Sequence, residues 1–315
     1  MKALVTGGSG FIGSNLALEL ERQGHEVVVV DSLFTGTKDN LVGFKGKFME
    51  IDVSKMQSIF EHAQKSSISD ISKPFEIDGE FDVVYHQAAI TDPRFGDDEE
   101  MARANVEGFK NMIGFAEKNN AKLVYASSAS LYGNGPVPMK EDQEKELLSA
   151  YAKSKLAMDE LAVGYFDKMH IVGLRYFNVF GPREAFKGRP ASMIYHLARQ
   201  MKDGKRPRIF KMGEQKRDHI YVKDVVNATI MAASDSAKSG VYNVGTGIGT
   251  SFNELVRVLN EVLGTDLMPE YFDNPYDDET YQSDTQADMS NAFEGLGFKA
   301  EYSIKDGVSE YRDKI

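Results

Sequence analysis

Short uninterrupted hydrophobic runs alternate with longer amphipathic stretches through the first half of this chain. The runs are Ala3–Thr6, Glu26–Asp31, Lys47–Ile51, Phe81–His86, Lys122–Ser127 and His170–Tyr176. Strands apolar on both faces belong inside a parallel sheet, and helical segments between them predict crossovers covering both sides. The pattern therefore predicts an α/β fold built on a doubly wound parallel sheet. In the first crossover Ile12, Leu16 and Leu20 share one helical face, and Gly24 closes it. Residues 63–80 carry four Ser and scattered charges without a period, and read as a long loop. After Gly181 the alternation weakens. Lys and Arg gather between 199 and 217, Asp and Glu between 273 and 284, the latter most simply a solvated loop. Val241–Val244 again reads as a buried strand able to rejoin the first sheet. The expected organisation is a first domain of residues 1–178 plus about 240–247, and a smaller mixed domain woven from 179–239 and 248–315.

Composition narrows the picture. The chain has 315 residues, with 37 Lys and Arg against 48 Asp and Glu, a net charge of −11. That balance argues against nucleic acid or an anionic membrane as the main partner. There is no cysteine, which excludes disulfides, thiolate nucleophiles and Cys-based metal sites. Six His without ligand spacing imply no metal. The first strand starts at once, leaving no room for a signal peptide, and no apolar run approaches the ~20 residues that span a bilayer. The expectation is a cytoplasmic protein.

The chemistry begins at Thr6-Gly-Gly-Ser-Gly-Phe-Ile-Gly13. Gly7, Gly10 and Gly13 lie between a strand and a helix, where a glycine turn offers a helix N-terminus to a phosphate. The first glycine permits the sharp turn, the second lets backbone approach a pyrophosphate, and the third lets the helix pack closely. Asp31 ends the second strand, where a carboxylate meets an adenosine ribose. The plain alternative is an ordinary turn with a surface Asp. Further on, Tyr151 and Lys155 stand four apart in a helical pattern, so both face one way. A cation beside a phenol favours phenolate and lowers its pKa, making Tyr151 a candidate general base. Ser128, at the end of the fifth strand, faces the same crevice and can hydrogen-bond a sugar hydroxyl. Ser127 and Ser130 read instead as loop-capping serines.

These motifs, in this order and spacing, resemble the extended short-chain dehydrogenase/reductases that act on nucleotide sugars. The resemblance covers essentially the whole chain. It implies a Rossmann sheet with a smaller substrate domain, and Ser128, Tyr151 and Lys155 as a catalytic trio. It also implies a cofactor site of Gly7, Gly10, Phe11, Ile12, Gly13, Asp31, Ser32, Lys38, Asp52, Val53, Gln87, Ala88, Ala89, Asn105, Tyr151 and Lys155. Within that site Asp52 holds the adenine and Ala88 lines the cofactor. Members usually dimerise through helices corresponding to Asn105–Ala116 and Tyr151–Val163, which implies a homodimer. Dehydratases of the family carry an Asp-Glu pair where this chain has Ala129-Ser130, so elimination of water is not expected.

The second half speaks to substrate. Asn178 follows a strand, placed to bind a diphosphate or sugar, or simply to make a turn before Gly181-Pro182. Arg217 suits a diphosphate, which a guanidinium grips with two hydrogen bonds; the alternative is an ion pair with Asp218 or Asp224. His219 reads as structural. The stretches G-P-R-E-A-F-K-G (181–188), Phe210 through Arg217-Asp218, and Y-Q-S-D-T-Q-A-D (281–288) are most similar to the branch that inverts carbon 6 of ADP-linked heptoses. There Lys187 matches a second acid/base, and Tyr281 falls among the substrate contacts; a surface lysine in a basic loop is the alternative. Residues 87–105 are less similar to that branch than to the general epimerases of the family, and a UDP-glucose/UDP-galactose-type 4-epimerase stays open as the second reading. Asp31 favours NAD, while Lys38 in Gly36-Thr-Lys can reach a 2′-phosphate and keeps NADP possible. A dinucleotide sensor without chemistry would not need Ser128, Tyr151 and Lys155 together, and a one-way reductase would consume free NADPH.

Overall fold

The computed structural model describes residues 1–56, 77–92, 95–274 and 281–315. Its main sheet contains β1 (Lys2–Thr6), β2 (Glu26–Asp31), β3 (Lys47–Glu50), β4 (Val83–His86), β5 (Lys122–Ser128), β6 (Ile171–Tyr176) and β10 (Gly240–Val244). Their order is β10-β6-β5-β4-β1-β2-β3, and every pairing is parallel. The run at Val241–Val244 does rejoin the first sheet, pairing with β6. Alternation explains the layering. Ala3, Val5, Val27 and Val29 enter one buried cluster, while Leu4, Val28 and Val30 enter the other. On one side α2 (Asp98–Asn119) packs against α3 (Ala150–Val163). On the other, α1 (Phe11–Arg22) meets α5 (Val222–Met231). Strand order reverses at β1, with β2 on one side and β4 on the other. A crevice at the carboxyl ends of β1 and β4 is the consequence.

The later residues build smaller sheets. In the first, β7 (Asn178–Phe180) runs parallel to β9 (Lys216–Tyr221), which pairs antiparallel with β11 (Gly249–Ser251). In the second, β8 (Arg208–Phe210) lies parallel to β12 (Glu270–Phe272). Helices α4 (Met193–Lys202), α6 (Phe252–Leu263) and α8 (Ile304–Tyr311) gather around them, while α7 (Ser290–Leu296) packs on β10 of the main sheet. The start of α6 is set by a capping box, Ser251 and Glu254 exchanging hydrogen bonds with each other's backbone. Of the segment expected to be a long loop, 63–76 lie outside the described residues, and 77–80 are neither helix nor strand. In the acidic stretch the described carboxylates, Asp273 and Asp284, are exposed, as expected of a solvated loop. Residues 275–280 lie outside the described residues, but at its end Asp284 bridges to Lys216, and the carbonyls of Gln282 and Ser283 accept from Arg217. A buried guanidinium that needs carbonyl partners ties that end's backbone to β9, while the Asp284 side chain stays exposed.

Candidate active site

The glycine turn sits at the crevice. Gly7 has φ +66°, and a Cβ there would lie 2.5 Å from the Ala88 backbone nitrogen, so turn and β4 end can touch only at glycine. At Gly13 a Cβ would come within 2.2 Å of the Gly7 carbonyl oxygen. Gly10 is different. Its Cβ would meet only that same oxygen, at 3.1 Å, and otherwise open space. Gly10 is also the N-cap of α1, and among the described residues no side chain caps that helix. Uncapped N–H groups beside an unfilled Cβ position make a cradle suited to a pyrophosphate. Asp31 is buried, and its oxygens accept from the Ser9 and Leu33 amides at 2.9 and 2.8 Å. Burial raises its pKa, while both amides oppose that shift. Buried Ser9 Oγ and Gln87 Nε2 lack partners among the described residues, and Ala88 follows Gln87 beside Gly7. These features fit a dinucleotide.

Tyr151 and Lys155 lie on α3, whose N-cap Ser149 accepts from the Ala152 amide. Lys155 is fully buried; its ammonium donates to the Ala126 carbonyl on β5 at 2.7 Å and stands 5.8 Å from the Tyr151 ring centre. Burial brings its pKa down to about 8, opposed by Asp159. The expected acidic shift of the phenol is not found. Desolvation pushes Tyr151 up to about 12, countered only by a hydrogen bond from the Ser128 hydroxyl. The serine assignments also change. Ser128 Oγ accepts from the Ser130 amide and so caps the turn itself, whereas the Ser127 and Ser130 hydroxyls are buried without partners among the described residues. Ser128, Tyr151 and Lys155 thus come together at the end of β5.

The loop from Gly181 to Gly188 is tied to α1. Arg183, at φ +71°, donates to the Asn15 side chain and the Asn40 carbonyl, and Asn15 donates to the Pro182 carbonyl. Glu184 is buried and accepts from the Gly181 and Ser192 amides. This folding sets the half-buried Lys187 ammonium 5.8 Å from the ring centre of Phe11, the first residue of α1. Desolvation lowers the Lys187 pKa, opposed by Glu184 and Asp92.

Arg217 is buried on β9, stacked 5.0 Å from the Tyr281 ring centre. Its guanidinium donates to the carbonyls of Lys216, Gln282 and Ser283. Neither Asp218 nor Asp224 is its ion-pair partner. Asp218 accepts from the Thr246, Gly247 and Ala287 amides, and Asp224 from those of Glu301 and Tyr302. Asn178 opens β7 in register with His219, and its Oδ1 accepts from Thr285. His219 is buried with both ring nitrogens unpartnered among the described residues.

Other expected cofactor residues hold structure as well. Asn105 exchanges hydrogen bonds with the Ile90 backbone and donates to Ser154, fixing the segment after Ala89. Asp52 accepts from Ser54 and pairs with Lys55, beside buried Val53. Lys38 pairs with Glu50 on β3, and exposed Ser32 accepts from the Phe34 amide. Sequence reading missed Gly8, where a Cβ would strike Val29 at 2.5 Å. A second glycine facing a valine-rich strand was the available signal.

A profile described as the NAD dependent epimerase/dehydratase family matches residues 3–245. A protein of Alkalilimnicola ehrlichii named ADP-L-glycero-D-manno-heptose-6-epimerase is 34% identical, the alignment covering 99% of this chain and 97% of the relative. The crystal structure of the enzyme of that name from Helicobacter pylori superposes with a TM-score of 0.87 at 34% identity, covering 99% of this chain and 95% of that one. UDP-glucose 4-epimerase from Thermotoga maritima, with UDP-glucose, gives 0.84 at 29% identity, covering 100% and 99%.

Proposed function

This chain belongs to the NAD dependent epimerase/dehydratase family, and we propose that it inverts carbon 6 of an ADP-linked heptose. The observation that carries the position is Lys187, a desolvated amine held at the first residue of the cradle helix. A carbon outside the sugar ring is best served by two acid/base groups on opposite faces, Tyr151 and Lys187. A ring carbon reached by swinging the whole sugar needs Tyr151 alone. UDP-sugar 4-epimerisation is the second reading, favoured by the likeness to the Thermotoga maritima enzyme.

NAD, when bound, supplies a hydride acceptor that returns what it takes, so inversion carries no net redox change. Gly7, Gly10, Phe11, Ile12 and Gly13 would hold its pyrophosphate and Asp31 its adenosine ribose. Tyr151 moves the proton of the substrate hydroxyl. Because burial holds it as a phenol at rest, the Lys155 charge and the Ser128 hydroxyl must favour the phenolate during turnover. Arg217 and Asn178 take the diphosphate, beside Tyr281. The substrate domain in this reading comprises 179–239 and 248–315, and a second copy docks on α2 and α3. With an ADP-heptose, Lys187→Met should lose activity almost as completely as Tyr151→Phe while still binding NAD. If the wild type instead interconverts UDP-glucose and UDP-galactose and Lys187→Met does so nearly as fast, the 4-epimerase reading replaces this one.

A further inference from the structure

Behind the Tyr151–Lys155 face lies a buried polar network with no direct place in the chemistry above. Asp159 is one helical turn beyond Lys155 on α3, so the two side chains are neighbours. Its carboxylate accepts from Tyr125 Oη on β5 at 2.9 Å and from Arg175 Nε on β6 at 2.9 Å. Arg175 Nη1 also donates to Tyr132 Oη and to the Glu141 carbonyl, both at 2.9 Å. Tyr132 Oη donates to Asn243 Oδ1 on β10 at 2.6 Å, and the Asn243 amide donates to Glu141 Oε1 at 2.8 Å. Asp159 and Arg175 are 3% and 5% exposed, so the pair is desolvated and holds its geometry. It joins α3, which carries Tyr151 and Lys155, to the two strands beside Ser128.

We propose that Asp159, fixed by Tyr125 and Arg175, is a positioning residue that keeps the buried Lys155 ammonium charged and aimed at the end of β5. This rests on the reading of Tyr151 and Lys155 as the proton-handling pair. A lysine sealed from water loses its proton readily unless an anion lies close. Among the described residues, the titratable and charged groups that act on Lys155 are Tyr151 and Asp159 on α3 and His86 on β4, with Tyr125 on β5 and Arg175 on β6 bonded to Asp159 behind them. His86 is neutral, held at about 3 by burial and by Lys155 itself. The phenols are neutral and Arg175 is positive, which leaves Asp159 as the anion of the set. It opposes the burial that brings Lys155 down to about 8.

The test is NMR titration of the free protein carrying ¹³Cε-lysine, the Lys155 resonance being assigned by its loss in Lys155→Arg. Wild type should titrate near pH 8. Asp159→Asn should lower that midpoint by about one unit, Asp159→Glu should largely restore it, and Glu160→Gln, on the exposed side of α3, should leave it alone. Because Asp159→Asn leaves Arg175 buried without its anion and can fail to fold, Asp159→Asn/Arg175→Gln removes both charges and should lower the midpoint in the same direction by less, since loss of the Arg175 cation offsets part of the effect. The alkaline limb of the kcat profile should move with the midpoint. A Lys155 midpoint unchanged in Asp159→Asn, or in Asp159→Asn/Arg175→Gln where the single variant does not fold, overturns the proposal, even if activity is lost. Failure of Tyr151→Phe to impair turnover would instead overturn the underlying reading, and leaves the titration result standing.

Discussion

Gly10 and Gly13, three residues apart in one turn, should fail in opposite ways when each gains a methyl group. At Gly13 the new Cβ would stand 2.2 Å from the Gly7 oxygen, 2.8 Å from its carbon and 2.9 Å from the Gly8 Cα. All three are backbone atoms, so the turn and α1 must separate by roughly an ångström. Overpacking of that kind costs about 1–3 kcal/mol, enough to lower the melting temperature by several degrees. At Gly10 the Cβ meets one oxygen at 3.1 Å, and φ −78° and ψ 179° suit any residue. The fold should tolerate Gly10→Ala with little change. The methyl group would, however, enter the space reserved for the pyrophosphate and weaken charge-assisted hydrogen bonds worth about 1.5–3 kcal/mol each. NAD affinity should therefore fall about ten- to a hundredfold. Differential scanning fluorimetry on the ligand-free variants and calorimetric titration with NAD read the two effects separately. Wild-type NAD affinity in Gly10→Ala, or destabilisation equal to that of Gly13→Ala, would refute the assignment of the cradle.

Tyr151→Phe should keep NAD affinity and lose about 10²–10⁴-fold in kcat, the usual weight of general acid–base catalysis; a loss under about tenfold means another group moves the proton. His219 is held neutral, at about 3 against an ordinary 6.5, by burial and by Arg217. Its folded pKa is depressed, so its contribution to stability is full above pH 6.5 and is lost as pH falls toward 3. At pH 5 that amounts to about 2 kcal/mol. His219→Phe should therefore unfold less readily than wild type on acidification to pH 5, measured by urea titration at pH 5 and 7.5; His86 keeps the remaining acid sensitivity. An equal pH dependence in both proteins contradicts the buried neutral imidazole.

The sheet was legible because strands buried on both faces leave no polar gaps, and even the late run at Val241–Val244 kept that signature. The glycine turn was legible for a similar reason, since few sequences place three glycines between a strand and a helix. What escaped were contacts between residues far apart in sequence. Nothing local says that Arg217 will seek the carbonyls of Gln282 and Ser283, or that Lys38 will turn to Glu50. Burial was the other gap. The helical spacing of Tyr151 and Lys155 was plain, but the desolvation that pushes the phenol up depends on what covers it. Ser128 shows both effects: its place at the strand end could be read, but not its acceptance of the Ser130 amide.

Hydride removal and return on one cofactor should invert a nucleotide-linked sugar without exchange with water. Incubating the protein and NAD with one carbon-6 epimer of an ADP-linked heptose in D₂O, and reading the mixture by ¹H NMR, tests it most directly. Both epimers are expected, with hydrogen and not deuterium at the inverted carbon. Deuterium at that carbon, or no inversion by a protein shown to bind NAD, would contradict it.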